Sequence, residues 1–182
     1  MSSLPFNHEK SHTSQWQVTV APGHFWQLIA VYSHVYEGAL AGHFSYSLTA
    51  ETIQFSILLT MLCVVLFKCV KLPGVPWSKA VLRVAVAEGR VVGHTFLVQN
   101  QDKLEIVTCV VTKEYRRSGI GKMLVNDAVK FARNLPVEAS CMPKSHSMSM
   151  MLRKCGFVET GRFRPGRAAN VTLRQWHYSQ PS

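Results

Sequence analysis

The chain is 182 residues long, 47% hydrophobic and 16% charged, with a formal net charge of +10. That length suits one domain burying about two-thirds of its surface, so no metal or disulfide staple is needed, and the composition excludes a disordered tail. The charge is lopsided: residues 1–75 balance three Lys/Arg against three Asp/Glu, whereas residues 76–182 carry 17 Lys/Arg against seven Asp/Glu. A basic half points to an anionic partner (a phosphorylated cofactor, nucleic acid or an acidic protein) or to a merely soluble basic surface, and charge alone does not choose. The five cysteines are odd in number and form no C-x-x-C pair. They read as small core residues in a reducing compartment, without a disulfide framework.

Residues 1–13 are polar and are expected to be flexible, with one domain over 14–182. They lack a basic region followed by an apolar one, so the expectation is no secretory signal and a cytoplasmic location. "QWQVTV" (15–20) alternates like a strand, and "APG" breaks it. "HFWQLIAVYSHVYEGA" predicts an amphipathic helix with its apolar stripe at Phe25, Leu28, Ile29, Tyr32 and Val35. "LTAETIQFSILLTMLCVVLFKCV" predicts a long buried helix capped at Thr49. Its apolar run, Ile53 to Phe67, is 15 residues long and holds Gln54, Ser56 and Thr60. A membrane span wants about 20 apolar residues, so no membrane segment is expected; the run is a buried element or a homodimer face.

Three strands are predicted in succession, "AVLRVAVAE" (80–88), "VVGHTFLVQ" (91–99) and "LEIVTCVVT" (104–112), joined by short turns as an antiparallel meander. "GKMLVNDAVKFARNL" predicts a helix with apolar positions Met123, Leu124, Ala128, Phe131 and Leu135. "VEASCM" (137–142) predicts a strand, and "SHSMSMMLRKC" a helix that Gly156 ends. "FVETGRFR" and "VTLRQWHYS" predict a closing hairpin. The order β-α-α-β-β-β-α-β-α-β-β describes an α+β domain, a mixed sheet covered by helices.

The most informative stretch is "RRSGIGK", which joins the end of a strand to the start of a helix. A helix N-terminus presents unpaired N–H groups and the positive end of the helix dipole. Gly119 and Gly121 leave the backbone bare, Arg116 and Arg117 add charge, and Ser118 adds a hydroxyl, which together make an anion nest. The dinucleotide pattern G-x-G-x-x-G and the mononucleotide pattern G-x-x-x-x-G-K-[ST] both fail here.

Following three antiparallel strands, this motif resembles the signature of the GNAT superfamily of N-acetyltransferases: an Arg or Gln, two residues, Gly, one residue, then Gly or Ala, here Arg116, Gly119 and Gly121. "VVTKEYRRSGIGKML" is similar to the family's lead-in, with Lys113 where proline is common. "SHSMSMMLRKCGF" resembles its second cofactor-contacting helix, and "EGRVVG" its second-to-third strand turn. The resemblance covers roughly residues 15–178. It implies a mostly antiparallel twisted sheet of about seven strands with about four helices, and acetyl-CoA as cosubstrate. By the same resemblance the pyrophosphate would sit on the amides of Arg117, Ser118, Gly119, Ile120, Gly121 and Lys122. Pantetheine would pair with backbone around Cys109, Val110 and Val111, where that strand splays from the next. Arg116, Arg117 and Lys122 would attract phosphate, with Ser145 as a further cofactor contact.

Acetyl transfer to an amine needs a neutral amine, a polarised thioester carbonyl and a leaving thiolate. Glu105, 14 residues before Gly119, matches the position of the glutamate base in certain histone-type members; a Glu on the solvent face or in an ion pair is the plainer alternative. The tyrosine that many members use as general acid, five residues before the closing Phe157, is replaced by Leu152, and the frequent asparagine by Ser145. Ser145, His146 and Tyr178 are the substitute acids to consider, with Tyr178 joining Glu105 as a catalytic candidate; a backbone N–H such as that of Val111 could serve the oxyanion. The histidines show no metal-ligand spacing, and no metal is expected. His24, Trp26 and the "GHFSYS" loop are candidates for acceptor contact, whereas Phe25 and Tyr32 are expected to pack.

Three readings follow. The first is an acetyl-CoA-dependent N-acetyltransferase acting on a primary amine of a small molecule, peptide or protein. The second is a toxin-like enzyme acting on aminoacyl-tRNA, for which Arg162, Arg164, Arg167 and Arg174 supply charge but few aromatic partners; nucleic acid is not favoured. The third is a CoA-binding domain without turnover, motivated by Leu152.

Overall fold

A computed structural model describes residues 17–41, 51–70, 78–165 and 172–179. Strand β1 (Val18–Pro22) runs into a 3-10 turn (Phe25–Gln27) and helix α1 (Leu28–Leu40). Helix α2 (Glu51–Phe67) is followed by a two-residue strand β2 (Cys69–Val70). The meander is β3 (Ser78–Ala87), β4 (Arg90–Gln99) and β5 (Leu104–Val111). Then come α3 (Ile120–Ala132), β6 (Val137–Cys141), α4 (His146–Lys154), β7 (Val158–Pro165) and β8 (Thr172–Tyr178). The sheet has eight strands rather than about seven, because β2 adds a short third partner for β3, beyond β1 on the same edge. Its main order is β1-β3-β4-β5-β6-β8-β7, antiparallel everywhere except between β5 and β6.

The period-2 alternation of β3 to β5 sends side chains to two faces, and each face buries its own helices. On one, Leu28, Val31 and Val35 of α1 and Met61 and Val64 of α2 pack on Leu82, Val84 and Phe96. On the other, Val125, Ala128 and Ala132 of α3 and Leu152 of α4 pack on Leu97, Leu104, Ile106 and Trp176. A third cluster joins Ile120 and Leu124 to Ala85, Ala87 and Val92. Between α3 and the first of these strands, Arg83 makes two 2.7 Å bonds to the Asp127 carboxylate.

Several sequence expectations are corrected. Helix α2 is not buried all round: Phe55, Leu58, Leu59, Leu62, Leu66 and Phe67 are exposed, and only the stripe through Met61 and Val64 reaches the sheet. A helix lying on one face of a sheet touches it along one stripe, whatever the composition of its other sides. The same geometry moves the α1 stripe to Leu28, Val31 and Val35 and leaves Ile29 81% exposed. Phe25, expected to pack, is 62% exposed, because the 3-10 turn carries it outside that stripe. On α3, Met123 and Phe131 lie at the edge of the buried stripe and remain partly exposed. The cap at Thr49, the "GHFSYS" loop and Arg167 lie outside the described residues. Among those residues no helix is long and apolar enough to cross a membrane.

Candidate active site

The parallel pairing of β5 with β6 covers only Leu104 with Val137, Glu105 with Glu138, and Ile106 with Ala139. Beyond Ile106 the two strands part. On the other side β5 stays paired with β4 as far as Val111, through a register shift that leaves Val107 as an extra residue opposite Phe96 and Leu97. Such a bulge bends its strand and strengthens its twist, which turns the upper half of β5 away from β6. The Thr112 N–H donates to Val92 O, toward β4. Alternation along the strand therefore aims the N–H and C=O groups of Cys109 and Val111 at the open edge. A split sheet with backbone groups turned to one lip can take an extended, amide-containing chain as a substitute strand.

The top of that lip leads into the anion nest. Thr112 is followed by a short 3-10 turn (Lys113–Tyr115), and the Ser118 hydroxyl donates to Tyr115 O. Arg116 Nε donates to Val111 O at 3.2 Å, which ties its charge to the end of β5. Arg117 and Gly119 both have left-handed backbone, at φ 66° and 88°. Gly119 is the N-cap of α3, and Met123 N–H is the first amide bonded back, to Gly119 O. The amides of Ile120, Gly121 and Lys122 precede the helical ladder and face the nest.

The two glycines serve different purposes. Nothing lies within 4 Å of a Cβ built on Gly119, so that residue answers to its backbone angle and leaves the approach open. A Cβ on Gly121 would stand 2.6 Å from Met151 Sδ, so this glycine seats α3 against α4 rather than baring the backbone to a ligand. Gly93, whose role the strand pattern did not reveal, is also a packing site: a Cβ there would stand 2.8 Å from Val110 O. An isolated glycine inside a strand pattern is the signal that could have found it.

Leu152 is fully buried in the core under α4. The Cys109 and Cys155 thiols pack against the same cluster. Burial pushes Cys109 up to about 12 and also raises Cys155, so both stay protonated at neutral pH. Ser145 is the N-cap residue of α4, without a side-chain capping bond, and His146 is the exposed first residue of that helix. Tyr178 is not brought to the open edge. It pairs with Val137 at the closed end of β6, packs 5.3 Å from Phe157 and touches the position of a Gly156 Cβ. Spacing along the chain does not specify which end of the strand it reaches; the β6–β8 register does.

The opposite side of the same strand carries a polar set. Leu104, Ile106, Cys109 and Val111 face α3 and α4, while Val107 packs toward α1 and α2. Alternation puts Glu105 on the α1 and α2 side, and its Oε1 accepts a charge-assisted bond from Arg164 Nη2 of β7. Phe96 and His94 of β4 stand opposite Thr108 and Val110. His94 is fully buried and its ring lies 6.1 Å from that of His34 on α1, nearly parallel to it. Burial takes His94 down to about 3 and also lowers His34, so the pair is neutral at pH 7. Both His94 ring nitrogens, His34 Nδ1 and the Thr108 hydroxyl are buried without a hydrogen-bond partner. Near the start of α1, His24 stacks on the exposed Trp26 at 4.5 Å.

The profile of the acetyltransferase (GNAT) family matches residues 73–157. No curated protein matches the chain in sequence. Among solved structures it is similar to the Salmonella typhimurium protein yncA with its cofactor acetyl-CoA, at 13% identity and TM-score 0.69, over 91% of this chain and 95% of that one. It is similar to spermidine N-acetyltransferase from Vibrio cholerae in complex with CoA and spermine, at 14% identity and TM-score 0.67, over 90% and 96%. A third likeness is to ribosomal-protein-alanine N-acetyltransferase from Brucella melitensis, at 16% identity and TM-score 0.66, over 89% and 99%. At these identities the likeness is one of fold.

Proposed function

We propose that the chain is an acetyl-CoA-dependent N-acetyltransferase of the acetyltransferase (GNAT) family, whose profile matches residues 73–157, and that it acts on a primary amine. The observation that carries this reading is the open edge of β5 running straight into a glycine-led helix start. The Cys109 N–H and C=O, turned away from β4, would pair with the pantetheine amides, as a missing strand would. The amides of Arg117 to Lys122 and the side chains of Arg116, Arg117 and Lys122 would hold the phosphates. Ser145, at the start of α4, would face the same arm.

Bound acetyl-CoA supplies the acetyl group: the amine nitrogen gains the amide C–N bond as the thioester C–S bond breaks, and of the two protons an ammonium loses, one ends on the thiol and one is released. Glu105 would take the amine's proton, its carboxylate passing from Arg164 to the acceptor. The Val111 N–H, on the open lip of β5, is available to a developing oxyanion. Leu152 supplies no proton, and with Tyr178 at the closed end of β6 the thiolate leaves unassisted or through water.

Calorimetry of the purified protein with acetyl-CoA, followed by thiol release across a panel of primary amines, tests the proposal. Binding with release for at least one amine supports it. Binding without release for any amine favours the non-catalytic reading that Leu152 motivates, and absence of binding removes the cofactor assignment.

A further inference from the structure

The Glu105–Arg164 ion pair joins β5 to β7, which β6 and β8 separate in the sheet. Three strand spacings amount to roughly 14 Å in a flat sheet. The β7–β8 hairpin closes this gap by bending. From Glu159 opposite Trp176 to Phe163 opposite Arg174, β7 spends two more residues than β8, with Gly161 left-handed at φ 69° inside the excess. A bulge of that kind increases the local twist. It brings the far end of the hairpin back to the Glu105 side of β5.

The pair is electrically closed. Glu105 is 16% exposed and Arg164 38% exposed, each satisfying the other's charge. An acceptor that is only a cation would have to displace the guanidinium from Glu105 and leave it without a carboxylate partner, at a cost that solvent reduces but does not remove at 38% exposure. An acceptor carrying both charges avoids that cost. Its ammonium replaces the guanidinium on Glu105, its carboxylate replaces Glu105 on Arg164, and the net charge of the site does not change. The unpartnered Thr108 hydroxyl, on the same side of β5, is a further polar group for a small zwitterion.

We propose that the acceptor is a free amino acid, with Arg164 as the residue that receives its carboxylate and Glu105 as the one that receives its amine. This rests on the N-acetyltransferase reading above and narrows its substrate class.

The test uses matched acceptors: each common amino acid, its decarboxylated amine and its carboxamide, followed by thiol release and, independently of turnover, by calorimetry of the amino acid against the protein saturated with CoA. The expected result is at least tenfold higher kcat/KM for one or more amino acids than for the matched amine and amide. Arg164→Met should raise the amino acid KM at least tenfold and erase the preference for amino acids, while Arg164→Lys restores part of it. Calorimetric binding should weaken in parallel, with circular dichroism confirming that the variants are folded. Thiol release with amines but not with amino acids overturns the proposal and leaves the N-acetyltransferase reading standing. Amino acid binding that is absent, or indifferent to Arg164→Met, overturns it as well, whether or not any acceptor turns over.

Discussion

Gly119 offers the sharpest perturbation of the anion nest. It is the N-cap of α3 at φ 88°, with nothing within 4 Å of a Cβ. Any side chain there meets the left-handed penalty of about 1–2 kcal/mol and no clash. For a chain of this size that corresponds to a fall in melting temperature of roughly 2–8 °C. Gly119→Asn and Gly119→Asp should share this stability loss, because the two side chains are nearly isosteric. They should part company in cofactor binding. A carboxylate about 5 Å from a phosphate charge costs ~3 kcal/mol at an effective dielectric of about 20, which is roughly a 100-fold loss of affinity. Isothermal calorimetry with acetyl-CoA at constant ionic strength reads the difference: Asn should stay within about tenfold of wild type, Asp should lose about 100-fold, and the gap should shrink as salt is raised. Equal affinities for the Asp and Asn variants would refute the placement of phosphate at this helix start.

Two further outcomes concern the sheet faces. Between pH 6.5 and about 3 the unfolded chain binds one more proton at His94 than the folded chain does, because burial holds the folded pKa at about 3. Stability from this group is therefore complete above pH 7 and falls as pH drops; urea unfolding from pH 6 to pH 4 should be steeper for wild type than for His94→Phe by about 1.4 kcal/mol per pH unit, with equal slopes above pH 7. On α2, Met61→Ala should cost about 2–3 kcal/mol and Leu66→Ala about 0.5 kcal/mol or less by denaturant melts, since Met61 is buried against the sheet and Leu66 is 56% exposed.

Much of this protein is written locally. Alternation specified β3, β4 and β5, the glycine at 156 specified the end of α4, and the chemistry of "RRSGIGK" specified an anion nest at a strand-to-helix junction. Each depends on residues within one or two turns of chain, where backbone geometry follows from side-chain type and spacing. The tertiary structure decided what no short window holds. Composition marks α2 as apolar but does not say which stripe meets the sheet, and two helices shared one face while two shared the other. Spacing put Tyr178 near the closing Phe157, and only the β6–β8 register showed that this is the closed end of the split. Gly121 looked like an opening for a ligand until Met151 proved to fill the space. Glu105 could be nominated from its strand, but its partner lies 59 residues away, brought over by a bulged hairpin whose twist is a property of the assembled sheet.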